Sequence, residues 1–410
     1  MTDKKHSGFE ALAKESKLYP QEALLKAKTK NASLFIGIPK ETSFQENRIA
    51  LTPEGVSLLT SNGHEIWIES GAGVATKFTD KDFSDAGAKI IYSKGEVFHA
   101  DIILKVEPPT VDEVSLIKTN RVLISALQLG NQNSEYLNAL NKKKLTALAY
   151  ELIEDKAGGM PAVRAMSEIA GSTVMLIAAE YLSNVNNGKG IILGGITGVP
   201  PTRVVILGAG TVAEYAARTA IGLGADIQIF DNHLYKLRRL KHALGQQVYT
   251  STINNVLLSE ALRQADVVIG ALRAEKGKNR YVVTEEMVST MKPGSVVIDV
   301  SIDQGGCIET SKITTHNKPI FTKYGVIHYC VPNIASRVAR TATTALSNIF
   351  TPIFYQAGEE GGLEDMIFNN SWLMKGVYAY NGNLTNPYIA RKFNMKHKEL
   401  NLLLAARFRQ

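Results

Sequence analysis

One segment constrains the fold more than any other. Val204-Val205-Ile206-Leu207 runs into Gly208-Ala209-Gly210-Thr211-Val212-Ala213, and an acidic residue, Asp231, closes the next apolar run. Four apolar residues make a buried strand, the small residues turn the chain into a helix from Glu214 to Gly222, and a second strand spans Asp226 to Phe230. Gly208 permits the tight turn and Gly210 lets a diphosphate approach the backbone. The helix start around Val212 offers free amides to that anion. Glycines after a strand are weak evidence alone. In a βαβ setting, with a carboxylate about 20 residues downstream, they read as a dinucleotide-binding unit. Asp231 can accept hydrogen bonds from the adenine-ribose hydroxyls and would repel a 2′-phosphate, which favours NAD over NADP. Its plainer alternative is a polar cap on the strand.

A chain of 410 residues exceeds one ordinary core, so two domains are expected. Apolar runs alternate with helical patterns from Leu34 onward. Strands are expected at Ser33 to Pro39, His64 to Glu69, Ile102 to Val106, Val122 to Ala126 and Leu145 to Ala149, with a helix from Pro53 to Asn62. Ala162 to Leu182 reads as a long helix linking the domains, Ser183 to Pro201 as a surface turn or hairpin, and Arg337 to Tyr355 as a helix returning to the first domain. Further strands are expected at Val267 to Ala271 and Ser295 to Val300. The fold class is therefore α/β: a Rossmann-type NAD-binding domain, 163–336, inserted into a split α/β substrate domain, 34–162 and 337–410, after an N-terminal appendage, 1–33. Phe9, Leu12, Leu18, Leu24 and Leu25 could give that appendage a short amphipathic helix.

The net charge of +7 is spread along the chain without a basic block interleaved with aromatics, so no nucleic-acid partner is expected. Lys142-Lys143-Lys144 reads as a solvated face. No signal peptide and no membrane-spanning apolar run are read, so no membrane partner is expected. Cys307 and Cys330, the two cysteines, have no metal-ligand spacing; a cytoplasmic setting is expected, with neither disulfide nor metal.

Several ordered blocks resemble the alanine dehydrogenases and the NAD-binding subunit of proton-pumping transhydrogenases. They are Gly37-Ile38-Pro39-Lys40-Glu41-Thr42 with Asn47-Arg48-Ile49-Ala50-Leu51-Thr52-Pro53, Ala100 to Val106, Met166 to Gly171, Val204 to Gly210, Ser301 to Cys307 and Cys330 to Asn333. The resemblance implies conversion of L-alanine to pyruvate and ammonium with NAD as hydride acceptor, in a homo-oligomer, dimer or hexamer. It implies Arg48 as the clamp on the substrate carboxylate, to which a guanidinium can offer paired donors. Lys105 is implied at the keto oxygen or carboxylate, and Asp303 beside the nicotinamide and the amino group. Ser167 is implied near the phosphates, Lys236 at the adenine-ribose edge, and Ile302 and Asn333 around the nicotinamide. Read without the resemblance, Lys105 could be a snorkelling strand lysine, Asp303 a turn-forming aspartate, and Asp299 a buried structural carboxylate.

The resemblance breaks at Gln128, where alanine dehydrogenases carry a histidine. An amide cannot exchange a proton as imidazole does, and losing such a base costs about 10²–10⁴-fold in rate unless another group replaces it. Gln128 can still donate a hydrogen bond, and Lys105 could take over proton exchange if burial lowers its pKa. His328 could face the cleft, and His99 reads as a surface residue. The stretch Gly158 to Glu168 follows the transhydrogenase cofactor loop poorly. The charged run Leu272 to Arg280 replaces an apolar loop and is expected to border the cleft. The leading expectation is an NAD-dependent amino-acid dehydrogenase acting on L-alanine. The alternatives are a transhydrogenase-type NAD(H)-binding subunit and a nucleotide-binding homologue with altered or lost catalysis.

Overall fold

A computed structural model describes residues 32–155, 157–272 and 281–407. The expected helix in the N-terminal appendage and the charged run from 273 to 280 lie outside them. In chain order the strands are β1 (Phe35–Ile38), β2 (Glu65–Glu69), β3 (Lys89–Ile91), β4 (Ile102–Leu104), β5 (Val122–Ser125), β6 (Thr146–Ala149), β7 (Arg203–Leu207) and β8 (Asp226–Phe230). There follow β9 (Tyr249–Ser251), β10 (Val267–Gly270), β11 (Val296–Asp299), β12 (Ile320–Lys323), β13 (Val326–Tyr329), β14 (Val377–Tyr380) and β15 (Asn383–Leu384).

They make two sheets. The first has the order β15-β14-β6-β5-β4-β1-β2-β3 and the second β12-β13-β11-β10-β7-β8-β9. Pairing is parallel from β3 through to β6 and from β9 through to β13; only β14, β15 and β12 run antiparallel to their neighbours. Every residue of β4, β5, β6, β10 and β11 is buried, as expected for strands covered on both faces by helices. In each sheet the strand order reverses beside the first strand, between β1 and β4 and between β7 and β10. At such a switch point the loops leave in opposite directions and open a crevice at the carboxyl ends of the strands.

Four helices pack in succession between the two sheets. The helix Pro161–Leu182 opens with Pro at its first position, where a missing N–H costs nothing. Its Gly171 lies against the helix Thr211–Gly222, and a Cβ there would stand 2.4 Å from the Val212 carbonyl oxygen. The helix Ala339–Glu359 packs on Pro53–Ser61, where Thr52 caps the start by accepting the Gly55 N–H at 3.3 Å.

Some expectations change. The helix after the glycine turn begins at Thr211 rather than Glu214, directly behind Gly210. The returning helix is preceded by a 3₁₀ segment, Ile334–Val338. Pro161–Leu182 is, by length and composition, apolar enough to cross a bilayer, although no such run was expected. Ala170, Val174, Ile177, Ala178 and Leu182 nevertheless belong to the core of the second sheet. The segment after it forms a tight hairpin, with Ile196 and Val199 bridged antiparallel.

Candidate active site in the cleft between the switch points

The loop from β1 to Pro53 and the chain leaving β4 meet at the first switch point. Glu41 accepts the Val106 N–H at 2.6 Å and the Glu107 N–H at 3.4 Å, so a carboxylate ties the two loops together. Lys105 reaches into the same packing. Its Nζ lies 3.3 Å from Glu41 and 3.4 Å from Glu113, and the residue is 1% exposed. Burial pushes Glu41 up to about 6 against the pull of Lys105. Burial also opposes ionisation of Glu113, but Lys105 and the Thr110 amide hold it below the usual carboxylate range.

Arg48 is held from the same loop. Its Nε and Nη2 donate to the two oxygens of Glu46 at 2.7 and 2.5 Å, and Nη2 also donates to Glu107 at 3.3 Å. Asn333, in the left-handed conformation with φ 55°, donates to Glu46 at 2.7 Å. Burial would raise Glu46, but the guanidinium overrides it and keeps that carboxyl ionised. Glu107 goes the other way. Burial and the neighbouring Glu46 charge push it to about 8, even with Arg48 beside it.

Gln128 leaves β5 with φ 46°, a strained conformation for a residue other than glycine. The Glu151 carboxylate holds the turn by accepting the Leu127 and Gln128 N–H groups at 2.8 and 3.1 Å. The side-chain amide of Gln128 then donates to Glu107. Tyr150 closes the floor, its hydroxyl donating to the Val106 carbonyl at 2.8 Å.

At the second switch point Gly208 has φ 109°, and a Cβ there would meet the Ala271 carbonyl oxygen at 2.6 Å; only glycine fits. A Cβ on Gly210 would meet nothing within 4 Å. Gly210 is the N-cap of Thr211–Gly222 and supplies no side-chain hydrogen bond to its first amides. An open, positively polarised helix end is what an anionic diphosphate requires. Asp231 is 1% exposed and accepts the Ala209 N–H at 2.8 Å, while its other oxygen takes the His233 N–H at 2.8 Å. The carboxylate expected to face a ribose thus also fastens the glycine turn to β8.

The two switch points share a cavity of about 310 Å³. It brings together Arg48, Gln128, Ser167, Val212, Asp303 and Asn333 among the expected residues. Gly208, Gly210, Asp231, Lys236 and Ile302 do not line it; the two glycines form the glycine turn, Asp231 holds that turn from the end of β8, and Ile302 is buried. Lys105 does not line it either; its buried ammonium is held by Glu41 and Glu113. His328 is wholly buried, bonded to Thr310 at 2.8 Å and stacked on Phe321 at 4.8 Å, so it does not face the cleft. Asp299 is the structural carboxylate, accepting the Ser301, Cys307 and Ile308 N–H groups and so shaping the turn that presents Asp303.

Glu46, Glu107, Tyr150 and Glu151 were not anticipated. Glu107 carried a signal: it stands between an all-apolar strand and Pro108-Pro109, at the carboxyl end where α/β sheets bind ligands.

Comparison with known proteins agrees with this geometry. Residues 37–170 match the family described as alanine dehydrogenase/PNT, N-terminal domain, and residues 174–387 the corresponding C-terminal domain. The chain is 40% identical over 366 residues to an alanine dehydrogenase of Methanococcus maripaludis, covering 89% of this chain and 98% of the relative. A solved L-alanine dehydrogenase superposes with a TM-score of 0.81 at 35% identity, over 88% of this chain and 99% of the other. A transhydrogenase structure from Sinorhizobium meliloti gives 0.73 at 26%, over 86% and 99%.

Proposed function

The chain belongs to the alanine dehydrogenase/PNT family, and from that premise we propose that it is an NAD-dependent oxidoreductase that interconverts L-alanine with pyruvate and ammonium. The observation that carries this reading is the shared cavity, in which Arg48 on one wall stands with Ser167, Val212 and Asp303 on the other.

The residues fit the cofactor: Gly210 leaves room at an uncapped helix end, as a bound diphosphate needs. Gly208, Gly210 and Val212 would hold the diphosphate with Ser167, and Asp231 and Lys236 the adenosine end. Ile302, Asp303 and Asn333 would lie around the nicotinamide. NAD supplies acceptance of a hydride from the substrate α-carbon. Arg48 binds the substrate carboxylate through Nη1, which rests 3.4 Å from the Met166 sulfur, a weak acceptor that a carboxylate displaces. Asp303 orients the amino group. The protein works in the cytoplasm as a homo-oligomer, with the domain division 34–162 plus 337–410 and 163–336 around its cleft. Exposed Val185, Ile192, Ile196 and Val199, in and before the hairpin that follows Pro161–Leu182, give a second copy apolar surface to cover.

Formation of NADH from L-alanine at alkaline pH, and its consumption with pyruvate and ammonium, test the assignment. No turnover in either direction would sink it. The likeness to a transhydrogenase, together with Gln128, favours one second reading, an NAD(H)-binding subunit. NADH-dependent reduction of an NADP analogue, seen with an added NADP-binding partner and absent without it, would support that reading instead.

A further inference from the structure

Among the described residues, Glu107, Tyr150, Glu151 and Asp303 are the acidic groups that line the cavity, and their contacts differ. Gln128 cannot ionise. Glu46 is locked as an ion by Arg48 and Asn333. Glu151 is raised by burial too, but one oxygen is held by two backbone amides and the other meets no hydrogen-bonding group among the described residues, so nothing aims it at a substrate. The Tyr150 hydroxyl donates to Val106, and burial raises it well above its ordinary value. Lys105 does not line the cavity and is bound to two carboxylates. Glu107 lines the cavity with one oxygen 3.3 Å from Arg48 and the other under the Gln128 amide, so both neighbours aim it without neutralising it fully.

We propose that Glu107 is the proton-transfer residue of this pocket and that Gln128 is its positioning residue. The proposal rests on the amino-acid dehydrogenase reading. Glu107 as carboxylate takes one proton from the substrate ammonium, freeing the nitrogen lone pair. The Cα–H bond then breaks, its electron pair leaving with the hydride, and a C=N bond forms. Glu107 passes its proton to solvent, which is the proton the overall reaction releases. It next takes a proton from a water whose oxygen bonds to Cα, giving a carbinolamine. It returns that proton to nitrogen; the C–N bond breaks, the hydroxyl proton leaves with the ammonia, and the products are pyruvate and ammonium. Oxidation requires the carboxylate and reductive amination the acid, so a value near 8 serves both directions. The charged and titratable groups around it are Glu41, Glu46 and Arg48 from the β1 loop, Lys105 from its own segment, and Tyr150 and Glu151 from beyond β6.

Glu107→Gln tests this in three measurements. The kcat for alanine oxidation at saturating alanine rises through about 8 in the wild type. In the variant kcat falls about 10²–10⁴-fold and that limb disappears. NADH binding, read by fluorescence titration, stays within about threefold of wild type. Difference infrared spectroscopy shows a protonated carboxyl that titrates near that pH in the wild type and is missing from the variant. An unchanged rate and limb in the variant would overturn the proposal, as would a wild-type spectrum without the titrating carboxyl. Should the wild type turn over no amino acid, the dehydrogenase reading fails. The infrared measurement then still decides for or against proton exchange at Glu107.

Discussion

Lys105 brings a full positive charge into the interior, and its company decides what it does there. An ammonium held between Glu41 and Glu113 is compensated, and removing it leaves two carboxylates buried without their cation. Lys105→Met therefore lowers unfolding free energy by about 3–5 kcal/mol in a denaturant titration. Activity per folded molecule changes much less than in Glu107→Gln. A variant of undiminished stability with kcat collapsed would instead put the lysine against the substrate. The strand Ile102 to Val106 was legible as buried, but that Glu107 and not Lys105 meets the cleft was not. Periodicity orients side chains only while the chain is a strand, and β4 ends at Leu104. Beyond it, Glu41 and Glu113 set the direction, and neither adjoins the lysine in sequence. Arg48 and Gln128, which both line the cavity, could be singled out because each lies within a recognisable block.

At the scale of elements, the glycine turn was the best-read feature, since its chemistry is local: a buried strand, two glycines and a helix start. The same locality separates its two glycines. Gly208→Ala forces a Cβ against the Ala271 carbonyl oxygen at positive φ, and the protein loses stability by more than about 1 kcal/mol. Gly210 has an ordinary φ of −84° and open space around it. Gly210→Ala leaves stability within about 0.5 kcal/mol and weakens NADH binding about tenfold or more. Equal losses of stability in both variants would remove the distinction. Elements whose meaning is non-local escaped the sequence. Val377–Tyr380 is as apolar as any predicted strand, yet it becomes β14 by pairing with β6 from far upstream. Short β9 and β12 carry too few buried residues to stand out.

At the scale of the whole molecule, two switch points face one cavity, and its acid groups leave a mark on global stability. The hairpin makes one prediction here: Ile192→Asp with Ile196→Asp shifts elution on size exclusion towards the monomer, while unchanged elution removes this hairpin from the interface. Glu107 makes the other. Its folded value, about 8, stands above the 4.5 of an ordinary glutamate. Between those limits the native state keeps a proton that the unfolded chain has released, so its contribution is complete below the lower limit and declines as pH rises through the window. Glu46, shifted downward, is ionised in both states there and adds no slope. Glu107→Gln removes one titrating proton, and unfolding free energy measured by urea then declines less steeply by roughly 1.4 kcal/mol per pH unit. Above the window the variant is the more stable protein, because the wild type must bury a charge that the amide lacks. An identical slope in both proteins would mean that Glu107 is ionised throughout, with Arg48 outweighing burial.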